Sequence, residues 1–280
     1  MTKKTENKKT NTISIIKLVP NMVTIIGLCI GLSSIRFAFK EQWEIAVAFI
    51  IFASCIDGID GFLARKLDAS SNFGAQLDSL SDFLNFGIAP PIVVYLWLKS
   101  NDWLPDKGDF GYGIGWATVL LFVTCCAIRL ARFNCELEDA TEEEPDYTKK
   151  FFTGVPAPAG AIFACGPMIT TFALSDNYPA FFEYIDFVQN PFFACFNLII
   201  AAILMASRIP TISFKKIKIP KERVHIVLIC VAVALAFLFT EPWLAMVCVG
   251  LWYYVSLPLS SRKFMKLKNE YLSKNESEKK

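Results

Sequence analysis

Apolar runs of about 20 residues recur along this chain, at roughly 19–38, 43–63, 77–98, 112–133, 155–175, 190–207, 223–240 and 242–260. Each is long enough for a helix to cross about 30 Å of hydrocarbon. No water is available there to bond peptide groups, so a lipid-embedded run must satisfy its backbone internally, as a helix does. The expectation is therefore an all-α polytopic membrane protein with about eight transmembrane helices. The last two runs read as a hairpin turning at Glu241-Pro242.

Charge placement orients the spans. Lysines and arginines gather between the apolar runs, at Arg65, Lys66, Arg129, Arg132, Lys149, Lys150, Arg208, Lys215, Lys216, Lys218, Lys221, Arg223 and from Arg262 onward. The connection around 176–189 carries acids and no lysine or arginine. By the positive-inside rule both termini are cytoplasmic, with Arg36, Lys40, Lys99 and Lys107 as the exceptions. Three parts follow: a polar N-terminal segment 1–18 with a short interfacial helix, a transmembrane catalytic domain 19–260, and a basic cytoplasmic tail 261–280. The first segment is too polar for a cleavable signal, and the final "NESEKK" reads as a disordered end.

Net charge is only +2, and no cluster of basic and aromatic residues offers a base-stacking surface, so nucleic acid is not an expected partner. The nine cysteines lie mostly inside apolar runs without CxxC pairs, which reads as reduced core residues instead of a zinc site or a disulfide frame. Trp97, Trp103, Trp243 and Trp252 read as interfacial anchors.

Against this apolar background, the stretch "DGIDGFLARKLDASSNFGAQLDSLSD" sets Asp57, Asp60, Asp78 and Asp82 within 26 residues. Residues three or four apart share a helix face, so the four acids make two pairs, one on each of two consecutive helices. Both pairs sit near the cytoplasmic ends of their spans, and the short connection brings those ends together. Like charges at such range repel, so the cluster either takes up protons or recruits cations. All-oxygen ligands without histidine or cysteine favour magnesium, manganese or calcium. Paired divalent ions bridged by carboxylates serve displacement at phosphorus.

Gly58, Gly61, Ala64 and Gly74 keep bulk off the same face, so a ligand can approach the backbone, and Arg65 one turn past Asp60 suits phosphate. Each glycine also has a packing explanation, and Arg65 one as an orientation anchor.

The stretch resembles the CDP-alcohol phosphotransferases at every position of their signature: Asp57, Asp60, Gly61, Ala64, Arg65, Gly74, Asp78 and Asp82. "LVPNMVTIIGL", "FGAQLDSLSDFLNFGIAPP", "IRLARFN" and "FFTGVPAPAGA" are similar to the membrane-embedded branch of that family whose acceptor is serine. The phospholipase D-like class is not resembled, because its HxK pattern is absent and the single histidine is His225.

That resemblance implies a helical bundle that binds CDP-diacylglycerol and L-serine and releases phosphatidylserine and CMP. It implies two divalent cations, magnesium or manganese first and calcium next, held by Asp57, Asp60, Asp78 and Asp82, with Asp82 also the catalytic base. It places the nucleotide on Asn21, Thr24, Asp60, Gly61, Ala64, Arg65, Gly74 and Asp78, and a homodimer in the cytoplasmic membrane of a prokaryote, its active site facing the cytoplasm. Arg129, Arg132 and Asn134 are candidates for the acceptor carboxylate or the lipid phosphate, with membrane anchoring the alternative for the arginines.

Two rivals remain at this level. Another acceptor of the same family, glycerol 3-phosphate or an inositol compound, would fit the same aspartates. A divalent-cation transporter would also place acids within spans, but near mid-membrane with exits on both sides.

Overall fold

The computed structural model describes residues 15–69, 71–100, 110–138, 151–175, 182–212 and 223–278. After a single 3-10 turn at Ile15–Leu18 come helices α1 (Val19–Ala38), α2 (Trp43–Lys66) and α3 (Asn72–Asp82). A π-helical turn, Phe83–Ile88, carries α3 without a break into α4 (Ala89–Ser100). Then follow α5 (Phe110–Glu138), strand β1 (Phe151–Thr153), α6 (Ala157–Ala164), α7 (Gly166–Ser175), α8 (Phe182–Gln189), α9 (Pro191–Ala206), strand β2 (Pro210–Ile212), α10 (Val224–Thr240) and α11 (Pro242–Glu278).

The protein is an all-α membrane bundle. Among the described residues, five helices are long and apolar enough to cross a membrane: Ile15–Ala38, Trp43–Lys66, Asn72–Ser100, Gly113–Glu136 and Pro242–Leu267. The expected span 155–175 is a broken one, α6 and α7 bent by 50°. Pro167 lies at the second position of α7, where its missing N–H and its ring interrupt the ladder running through Cys165. Helices α9 and α10, in the expected spans 190–207 and 223–240, are apolar and have 16 and 17 residues, at the lower end of what a crossing needs.

Several expectations change. The third span starts at Asn72 instead of 77, because Ser71 caps it by accepting from the Gly74 N–H at 3.0 Å. The last helix runs on to Glu278, so the described part of the expected disordered end has helical backbone. Part of the expected connection 176–189 is the helix α8. Trp97 is no interfacial anchor: it is 3% exposed and packs in the core. Trp243 is partly buried edge-on against Phe172, at 5.1 Å, and Trp252 is exposed. Trp103 lies outside the described residues.

The core lies where α2, α4, α5, α6 and α9 meet. Small residues such as Ala46, Ala161 and Ala201 let helices approach, around Phe86, Phe122 and Met205. The outer surface is apolar too, with Phe239 84% exposed, as expected of a bundle solvated by lipid. Helix α1 packs along α2, and Gly27 leaves room for Ile56, whose Cγ2 would stand 3.1 Å from an added Cβ.

A short antiparallel ribbon, Phe151 opposite Ile212 and Thr153 opposite Pro210, closes one end. Gly154 follows it with φ +80°, and a Cβ there would stand 2.6 Å from the Ser207 carbonyl oxygen. Left-handed backbone and contact with backbone both exclude a side chain. Gly154→Ala should therefore destabilise the bundle by roughly 1–3 kcal/mol, read as a lower melting midpoint in detergent. An unchanged midpoint would show that the ribbon contributes nothing to folding.

Candidate active site

Asp57 and Asp60 project from the last turns of α2, and Asp78 from the second turn of α3, next to the tight turn that joins them. One carboxylate oxygen from each of these three lies within 4.8 Å of the other two. Asp60 is 4% exposed, while Asp57 and Asp78 are half-buried. At an effective dielectric of about 20, two charges this close repel by roughly 3 kcal/mol, less where water screens them. Three converging carboxylates therefore suit a bound cation, and a set made only of oxygen suits a hard divalent one.

Asp82 adjoins that trio, close enough to Asp57 for a side-chain hydrogen bond, although it is not one of the three whose oxygens lie within 4.8 Å. One turn further along α3, its Oδ1 is shut off from solvent and has no hydrogen-bond partner among the described residues. Arg129 of α5 lies near enough for its charge to act on Asp82.

Beside the trio opens a cleft of about 140 Å³ between α1, α2 and α3. Seven of the eight residues expected to meet a nucleotide line it: Asn21, Thr24, Asp60, Gly61, Ala64, Gly74 and Asp78. The eighth, Arg65, is exposed at the rim, with one guanidinium nitrogen 3.7 Å from where a Gly61 Cβ would stand. Gly74 lets α1 and α3 come together, since a Cβ there would meet Asn21 Oδ1 at 2.8 Å. Thr24 is buried, faces the cleft, donates to the Pro20 carbonyl at 3.1 Å and also lies within hydrogen-bond reach of Asp60 on α2. Pro20, Ala69, Ser71 and Ala75 complete the lining. Sequence reasoning missed these four, although the cap signal at Ser71, just ahead of an amphipathic turn, was there to be found.

The residues expected near the acceptor each join α5 to a neighbouring element. Arg129 Nε–H donates to the Val155 carbonyl at 2.7 Å, and Arg132 donates to the Ala206 carbonyl at 3.0 Å. Ala206 ends α9, where carbonyls have no partner within the helix. Asn134 donates to Ser79 Oγ at 3.0 Å, tying α5 to α3 beside Asp78. None of the three lines the cleft. His225 is exposed at the start of α10.

The chain matches known proteins over most of its length. Residues 17–188 match the family model described as CDP-alcohol phosphatidyltransferase, and 222–258 match a second, CDP-alcohol phosphatidyltransferase 2. It is 34% identical to the CDP-diacylglycerol–serine O-phosphatidyltransferase of Mycobacterium leprae, over 88% of this chain and 75% of that one. The protein of the same name from Mycobacterium tuberculosis is 31% identical over 88% of this chain and 79% of its own length. The one from Helicobacter pylori is 33% identical over 72% and 74%.

Proposed function

We propose that this chain, which belongs to the CDP-alcohol phosphatidyltransferase family, transfers a phosphatidyl group from CDP-diacylglycerol to the hydroxyl of L-serine, releasing CMP. The observation that carries this reading is the convergence of Asp57, Asp60 and Asp78 at the mouth of a cleft lined with small residues, at one end of an apolar bundle. The names of its relatives favour serine as the acceptor.

Asp57, Asp60 and Asp78 hold divalent cations, magnesium or manganese before calcium, with Asp82 completing the set. When bound, such ions neutralise charge building on the phosphate oxygens and on departing CMP. Gly61, Ala64 and Gly74 let the nucleotide lie against backbone, Asn21 and Thr24 edge it, and Arg65 pairs with phosphate at the rim. The serine oxygen attacks the phosphorus that carries diacylglycerol, the bond from that phosphorus to the CMP oxygen breaks, and Asp82 Oδ1 receives the hydroxyl proton. Burial without a partner suits Asp82 Oδ1 to that task.

Arg129 acts on Asp82 through its charge, and Arg132 and Asn134 fix α5 in place. Lipid tails lie between helices, with the site at the cytoplasmic face of a prokaryotic inner membrane and the protein a homodimer.

The test is an acceptor assay on purified protein with CDP-diacylglycerol. Serine should give phosphatidylserine at a rate at least about tenfold above glycerol 3-phosphate or inositol, the discrimination open to a site that hydrogen-bonds its substrate. Product formed only with glycerol 3-phosphate would refute serine as acceptor. Cation flux into liposomes without CMP release would refute the enzyme.

A further inference from the structure

Two buried side-chain oxygens have no hydrogen-bond partner among the described residues, Asp82 Oδ1 and Asn85 Oδ1. They belong to residues three positions apart, close to one helical turn. Leaving a buried acceptor unpaired is costly, and in an apolar bundle lipid offers no relief. In the reading above Asp82 Oδ1 meets the acceptor hydroxyl, which leaves Asn85 Oδ1 as the buried acceptor still short of a donor.

The surroundings of Asn85 are built to hold its oxygen in place. The residue is 2% exposed, and its Nδ2 donates at 3.2 Å to Ser81 Oγ, itself on a 5% exposed residue. Across from it, α1 carries Gly31, where any Cβ would overlap the Asn85 oxygen. The backbone widens into the π-helical turn directly after Asp82, a device that resets side-chain direction and recurs at functional sites. Asn85 belongs neither to the aspartate trio nor to the cleft lining. An uncharged amide oxygen there serves to accept from a donor.

Serine carries two donor groups on adjacent carbons. Its hydroxyl goes to Asp82 in the reading above, which leaves the ammonium close enough to reach one turn further. We propose that Asn85 Oδ1 accepts a hydrogen bond from the α-ammonium of the amino-acid acceptor, making Asn85 a specificity-determining residue. This rests on serine being the acceptor.

The test compares serine with 3-hydroxypropanoate, which keeps the hydroxyl and carboxylate and lacks the amine. Wild-type protein should favour serine in kcat/KM, and Asn85→Leu should shrink that ratio about tenfold or more, as expected for losing a hydrogen bond to a charged group. The loss should appear in KM for serine, with KM for CDP-diacylglycerol unchanged. A merely structural lesion would lower both acceptors alike and leave the ratio intact, which would overturn the inference. Should the Leu variant not fold, Asn85→Ala carries the same readout. If wild-type protein turns over no serine while releasing CMP to another alcohol, the acceptor assignment fails and this inference falls with it; a preserved ratio in a serine-using enzyme sinks the inference alone.

Discussion

Replacing Asp78 by Asn should slow CMP release from CDP-diacylglycerol on the order of 1,000-fold, since stabilisation of transition-state charge by bound metal is worth several kcal/mol. The protein should still fold, because its core lies elsewhere, among α2, α4, α5, α6 and α9. In metal-free protein the melting midpoint should hold or rise, as one of three mutually repelling carboxylates within 4.8 Å has become neutral. Magnesium or manganese should raise the wild-type midpoint and leave that of Asp78→Asn unmoved, which separates loss of binding from loss of chemistry. A chelator should reproduce the activity loss in wild-type protein, with magnesium or manganese restoring turnover. Full activity in the variant would mean that the trio is not a metal site.

The trio was legible because its geometry is local. Spacings of three on α2, with a short turn into α3, fix which carboxylates share a face before any tertiary contact is known. Gly61 and Gly74 followed from the same reasoning, while Gly58, expected with them, lies outside the cleft lining. What the sequence could not reveal depends on contacts made far along the chain: Arg129 to Val155, Arg132 to Ala206, and Asn134 to Ser79, separated by 26, 74 and 55 positions. Each of the three joins elements distant in sequence, which a one-dimensional reading cannot foresee. Hydropathy also marks where lipid ends and not where a helix ends, which is why α11 continues past the apolar run to Glu278. The break between α6 and α7 was visible in Gly166-Pro167, but apolar composition on both sides concealed it. The π-helical turn at Phe83–Ile88 has no periodicity of its own to betray it.

Gly61 allows the cleft itself to be tested, because packing and ligand binding predict opposite results there. A Cβ at Gly61 would meet nothing of the protein closer than the Arg65 guanidinium at 3.7 Å, so no helix contact requires a glycine. Glycine inside a helix costs about 1 kcal/mol against alanine, and Gly61→Leu should therefore raise the melting midpoint or leave it unchanged. The new side chain would project into the cleft beside Asp60 and Ala64. Activity should then fall on the order of 100-fold in kcat/KM for CDP-diacylglycerol, carried mainly by KM, as expected for a lost binding surface near the phosphates. Gly58, exposed, outside the cleft lining and with nothing within 4 Å of its added Cβ, is the control: Gly58→Ala should stay within about twofold of wild type. A Gly61→Leu protein that folds and keeps its KM for CDP-diacylglycerol would move the nucleotide out of this cleft. A loss of fold in that variant would instead make Gly61 a packing residue, against the open space beside it.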